Sequence, residues 1–196
     1  MLFRLPLAFP HIVWLILWSV LALFVAFFNW WATLFLGRSP SVFHRFLSAY
    51  LRYGVHVYAF LGLVANPFPG FTGAPGTYPV DLEIDGPERQ NRWITGFRGI
   101  LDIPAWLVAV SFTGLLVAVA IFGWFVSLAT GRMPVGLRNA GAYVLRYWAQ
   151  TSGYGFLYLT DRYPYSGPAE RRVEPEPEPA EPEPLAPGAG PALAPA

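Results

Sequence analysis

Gly37-Arg38-Ser39-Pro40 returns ninety-four positions later as Gly131-Arg132-Met133-Pro134. Each copy closes a long run free of Asp, Glu, Lys and Arg, and each opens a second run that carries a few arginines. The uncharged runs are His11 to Leu36 and Ile103 to Gly131. At a rise of 1.5 Å per residue, about twenty residues cross a ~30 Å hydrocarbon core, so both runs can span with tilt. Glycine suits a helix C-terminus, where the chain turns through a left-handed conformation. Arg38 and Arg132 can then snorkel to the headgroups, and Pro40 and Pro134 suit the first position of a new helix. The motif therefore reads as the tip of a helical hairpin, present twice.

Working outward, the register holds well beyond the tips. Phe3-Arg4 matches Phe97-Arg98, Pro10 matches Pro104, and Phe28 and Trp30 match Phe122 and Trp124. Leu51-Arg52-Tyr53 matches Leu145-Arg146-Tyr147 without a gap. Two apolar helices share Leu and Val by composition alone, but composition does not align Arg, Pro and Gly at one spacing. The totals agree with a membrane protein. The chain is 55% apolar and 13% charged, against about 25% charged in a typical soluble protein. Its net charge of +1 gives no argument for a nucleic-acid partner, and the absence of Cys excludes disulfides, thiolate metal sites and Cys nucleophiles. The first apolar run is too long for a signal peptide, and no A-x-A site follows it.

The second helix of each half, 41–65 and roughly 134–159, is less apolar. Arg45, Ser48, Arg52 and His56 fall on one narrow helical stripe. Arg146 and Gln150 repeat the positions of Arg52 and His56. Two readings are open. The helix spans and turns this stripe inward, since charges at depth face partners or water. Otherwise its first part lies in the interface. Length favours the span.

Between the halves, Asn66 to Gly76 is rich in Pro and Gly and reads as a loop. Val80, Leu82 and Ile84 then alternate with Asp81, Glu83 and Asp85, the pattern of a short half-buried strand with a wet acidic face. Thr160-Asp161-Arg162-Tyr163-Pro164 closes the second half, and the first ends on Asn66-Pro67-Phe68-Pro69 instead. Beyond Ser166 the Glu-Pro and Pro-Ala runs cannot build a core and read as a disordered tail. The expected fold is all-α in the membrane: two tandem helical-hairpin repeats with about four membrane-embedded helices, a short extra-membrane β segment and the tail. The expected divisions are 1–69, 70–98, 99–165 and 166–196.

Tyr78-Pro79-Val80, Phe97-Arg98, Ile103-Pro104, the second tip motif, Leu145-Arg146-Tyr147 and the Asp161-Arg162-Tyr163-Pro164 closure resemble the DUF4389 family of bacterial membrane proteins. The resemblance covers 78–165 well and 3–69 as a degenerate copy. It implies a module that members often carry twice, and it brings no established activity.

Nothing in the sequence points to catalysis, a cofactor or a metal. His11, His44 and His56 include no i, i+4 pair, and neither a P-loop nor G-x-S-x-G is present. Asp102 and Asp161 are single acids at membrane boundaries, where capping or an Arg partner is the ordinary role. The main expectation is a non-enzymatic accessory or scaffold subunit, in contact with lipid and with another membrane protein or a second copy. The alternative is a small permeation unit in which Arg52 and Arg146 receive an anion or lipid headgroup. Arginine counts at the helix ends barely separate the two orientations. The orientation adopted puts both termini and the 66–98 loop on the cytoplasmic side of the bacterial membrane.

Overall fold

The computed structural model describes residues 4–167, and within them the chain is all-helical. Helix α1 covers Arg4–Leu36, α2 Ser41–Leu61, α3 Arg92–Leu101, α4 Ile103–Thr130 and α5 Val135–Thr151. A π-helical turn, Ser152–Phe156, continues α5. The tail read from sequence lies outside the described residues, apart from Ser166 and Gly167.

Both tips form as the motif demands. Gly37 has φ +69° and Gly131 φ +72°, the left-handed region that glycine enters without a Cβ penalty. The Gly37 amide donates to Thr33 O at 2.8 Å, and the Gly131 amide donates to the equivalent Ser127 O at 2.9 Å. Pro40 and Pro134 precede α2 and α5 with φ and ψ agreeing within one degree. Each is followed by the same first-turn bond, His44 N to Pro40 O and Arg138 N to Pro134 O.

Two segments, Pro6–Leu36 and Ile103–Thr130, are long and apolar enough to cross a membrane. Each buries only a narrow stripe, mostly of small residues. On α1 these are Ala8, His11, Ala22, Ala26, Asn29 and Thr33, and on α4 they are Ala105, Ala109, Val119, Gly123 and Ser127. Small side chains let the partner helix approach closely, while the Leu, Phe and Val around them stay exposed. Neither α2 nor α5 is as apolar. Each instead buries its own face between neighbouring elements.

The helix directions follow from the contacts. Asn29 meets Ser39, Tyr53 meets His11 and Phe60 meets Arg4, so α2 runs back along α1. Helix α5 likewise runs back along α4, with Met133 against Gly123 and Phe112 against Tyr143 and Tyr147. Between the hairpins, Leu51 touches Gly153, Gly54 touches Trp148 and Val64 touches Gly141. Rising numbers on α2 meet falling numbers on α5, so these helices are antiparallel. Both run away from their own tips, and the tips therefore sit at opposite ends of the molecule. A serial four-span arrangement places them on the same side.

The linker accounts for this difference. Asn66 accepts from Arg4 at the start of α1, Trp14 donates to Phe71 O, and the Gln90 amide donates to Gly37 O at its end. Residues 66–91 thus run the whole length of the first hairpin and do not form a loop at one end. The expected strand is also corrected. Val80, Leu82 and Ile84 do pack inward against the core cluster that includes Leu47, Leu51 and Val55, while Glu83 and Asp85 face out and Asp81, on the same side, reaches back to Arg52. However, no second strand lies alongside, and a half-buried alternation without a partner ladder is not a sheet. Among the described residues the sole β contact is an isolated bridge between Arg38 and Arg89.

Candidate functional site

Polar side chains gather at three places in this apolar frame. The first is an arginine clamp that occurs in each half. Arg98 is fully buried, donates to Tyr154 O at 3.2 Å and lies 4.8 Å from the Tyr154 ring centroid. Arg4 donates to Phe60 O at 2.7 Å and lies 4.8 Å from the Phe60 ring centroid. Tyr154 follows Phe60 by the spacing that separates the two arginines. The helix ends that these arginines hold are also alike, with Ala65 N bonded to Ala59 O and Leu159 N to Gly153 O. The third partner differs. Arg98 meets the Asp161 carboxylate, whereas Arg4 meets the neutral amide of Asn66 at 2.6 Å. Burial lowers the Arg98 pKa, and Asp161 works against that shift.

The second place is the stripe on α2. Arg52 Nε lies 2.9 Å from Asp81 Oδ1, and its amino groups donate to Leu82 O at 3.1 Å and Gly73 O at 3.5 Å. His56 Nε2 lies 3.6 Å from the same Asp81 oxygen. These contacts fasten the linker to α2.

The third place is a cavity of about 520 Å³ between the first half of α4, the end of α5 with its π turn, and Tyr50 and Leu51 of α2. Asp102, between α3 and α4, stands at one end. Its side chain makes no capping bond, and its Oδ1 is buried without a hydrogen-bond partner. Gly155 in the π turn lies so close that a Cβ there would collide with the carboxylate. Burial raises the Asp102 pKa, opposed by Arg98 one turn earlier.

A family model described as a domain of unknown function, DUF4389, matches residues 1–72 and 92–166. The chain belongs to the DUF4389 family. No curated protein and no solved structure matches it. The two matched segments are consistent with a tandem copy, and they place one arginine clamp and one hairpin tip in each. Residues 73–91 lie outside both segments, so Tyr78-Pro79-Val80 is no part of the matched DUF4389 module.

The residues singled out in the sequence divide along these lines. Gly37, Arg38, Pro40, Gly131, Arg132 and Pro134 form the two tips. Arg52 and His56 come together on Asp81. Arg146 and Gln150 do not reproduce that cluster: the Arg146 guanidinium lies over the Tyr143 ring at 5.3 Å, and Gln150 Oε1 accepts from the Tyr165 amide. Of the closing motif, Asp161 holds Arg98, Arg162 pairs with Asp85 and Glu88, and Tyr163 packs against Tyr154. Pro164 is buried beside them.

Three residues carry more than the sequence reading gave them. Asn29, fully buried in α1, donates to Leu157 O at 2.9 Å and accepts from Ser39 Oγ at 2.6 Å, tying α1, the tip and the second half together. An Asn inside an uncharged run was the available signal. His11 bonds the Tyr53 hydroxyl at 2.7 Å and stacks on Phe71 from the linker. Asp102, read as a cap or an Arg partner, makes no side-chain capping bond; it is acted on by Arg98 one turn earlier and lines the cavity.

Proposed function

We propose that this DUF4389 protein is a non-enzymatic subunit of a membrane assembly, built to pack against a second copy or another membrane protein. The supporting observation is the course of the linker. Residues 66–91 run beside α1 from Arg4 to Gly37, past any twenty-residue stretch that could lie in the hydrocarbon. Irregular backbone at that depth is tolerated only when covered by protein or lining a wet interior. Acidic side chains there cost about 2.5–3.5 kcal/mol each on insertion scales. Asp81 turns back to Arg52, but Glu83 and Asp85 lie on the outward side of the segment, and in a bilayer their cover comes from outside this chain.

The same contacts weigh against anion permeation through Arg52. Its carboxylate partner is already supplied by Asp81, and the row beside it is acidic. Lipid contact is supported by the two apolar helices, whose exposed Leu, Phe, Val and Trp surround their buried stripes.

The test uses the Cys-free chain. Glu83→Cys is made in the full-length protein and treated in intact membranes with a water-soluble maleimide, and the extracted protein is then sized by light scattering. The expected result is a particle well above the 21.8 kDa of one chain, in which position 83 labels far more slowly than after unfolding. A monomer whose position 83 reacts like a free thiol would place the linker in bulk water and remove the reading.

A further inference from the structure

The Gly37 tip carries an inference that goes beyond the subunit reading and shares with it only the placement of α1 in a bilayer. Arg38 and Arg89 form an antiparallel bridge, flanked by the Gln90 amide donating to Gly37 O at 2.8 Å. With the bond outside them, Arg38 and Arg89 are a non-hydrogen-bonded pair, the kind whose side chains stand closer. Residues opposed in this way carry their side chains on one face, and like charges placed there repel. Arg92 adds a third guanidinium. It lies over Gly37, with Nε 3.6 Å from the position a Cβ would take.

All three arginines are exposed, and none forms an ion pair among the described residues. The neighbouring acids are committed elsewhere. Asp85 and Glu88 pair with Arg162, and Asp161 holds Arg98. Three positive charges therefore meet at this tip, and the described residues supply no anion to them.

Their level in the membrane identifies the anion. Arg38 follows the apolar segment Pro6–Leu36 by two residues, and the bridge holds Arg89 at the same height. Arginine at that height reaches the headgroup layer. Trp31 and Phe35 stack at 5.7 Å near the end of α1, and Trp93 is 78% exposed in the first turn of α3. Aromatic side chains gather at membrane–water interfaces in this way. Just before the arginines, Phe35 and Leu36 are 66% and 64% exposed and offer an apolar wall to an acyl chain. The second tip is built differently, since among the described residues no arginine is bridged to Arg132.

We propose that the Gly37 tip binds an anionic phospholipid, with its phosphate between Arg38 and Arg89 and within reach of Arg92. Guanidinium groups hold phosphate oxygens through paired N–H···O bonds, so the phosphate turns a repulsive pair into a bridged one. A zwitterionic phospholipid brings the same phosphate with a cation attached, which three arginines disfavour.

The experiment measures binding of dioleoyl phosphatidylglycerol and dioleoyl phosphatidylcholine to the full-length protein by native mass spectrometry from a non-ionic detergent. One saturable phosphatidylglycerol per chain is expected, preferred about tenfold or more over phosphatidylcholine. An arginine beside anionic headgroups contributes about fivefold, so Arg38→Gln and Arg89→Gln should each lower the preference by about that factor. Arg132→Gln removes the same charge from the other tip and should leave the preference in place. Without lipid, Arg89→Gln should melt no lower than the parent, because it relieves the opposed pair; this separates lost binding from lost folding. Equal binding of the two lipids, an equal loss in Arg132→Gln, or displacement of phosphatidylglycerol by millimolar inorganic phosphate would each overturn the assignment, the last by making free phosphate the ligand. Protein recovered from cells in soluble form without detergent would overturn the membrane placement of α1 and the lipid site together.

Discussion

At the scale of single residues, Asp102 separates a capping role from the cost of a buried charge. An acid that merely capped α4 would stabilise the fold, and its removal would cost about 1 kcal/mol. Asp102 makes no such bond with its side chain, and burial raises its pKa with Arg98 opposing. The sign follows from linkage. A carboxyl with a folded-state pKa above its unfolded value favours folding when protonated, and that advantage is lost as pH rises through the folded pKa. Asp102→Asn should therefore be at least as stable as the parent at neutral pH. The parent should gain on the variant as pH falls through the carboxylate range. Melting temperatures of both proteins from pH 4 to pH 8 check this, and a variant that melts well below the parent at pH 7 would return Asp102 to a structural role. The position of Asp102 at a helix boundary was readable in the sequence. That Gly155 would press against it was not, because the π turn adds a residue to the helical register and no periodicity marks it.

At the scale of elements, the readings that succeeded rest on local backbone chemistry. Gly37 and Gly131 end their helices because left-handed φ and a following proline specify a break with no help from tertiary structure. The inward positions of Arg52 and His56 were legible from helical spacing, although Arg45 on the same stripe is exposed near the tip. The 80–85 segment shows where such reasoning stops. Its alternation predicts the two faces correctly, but pairing is a property of two segments, and the neighbour here is α2. Arg52 takes the Leu82 carbonyl that a strand would have offered to a ladder. Its ion pair with Asp81 is partly screened, with side chains 11% and 27% exposed, so it falls short of the 3–5 kcal/mol of a fully buried pair. Arg52→Ala should cost about 2 kcal/mol and release the linker, leaving α1 and α4 inserted. Limited proteolysis reads this directly as new cleavage within 66–91. An unchanged cleavage pattern would show that Val80, Leu82 and Ile84 hold the segment without the arginine.

At the scale of the molecule, the halves share a design that a serial reading of hydropathy orders wrongly. Four apolar stretches in sequence imply successive crossings, with both tips on one side. The contacts of α2 with α5 give the opposite result. Gly54 meets Trp148, its own counterpart in the other half, while residues on either side meet in reverse order. That pattern relates the halves by a two-fold axis across the helices, which in a bilayer is the plan of an inverted repeat. It was hidden because direction is set by the linker. The linker returns along the first hairpin through contacts of Asn66, Phe71, Asp81 and Gln90 that no composition or period reports. Were α1 and α4 to cross a bilayer, the Arg38 and Arg132 tips would fall on its opposite faces. Val42→Cys and Val135→Cys lie at the second residue of α2 and the first of α5, are 70% and 61% exposed, and enter a chain without other thiols. In sealed right-side-out vesicles an impermeant maleimide should label one of them and spare the other, and inside-out vesicles should reverse the pair. Labelling of both from the same side would mean that the halves insert in parallel in the bilayer, with the linker drawn off α2. The acidic row would then need no covering partner, and the case for an assembly would fall with the inverted arrangement.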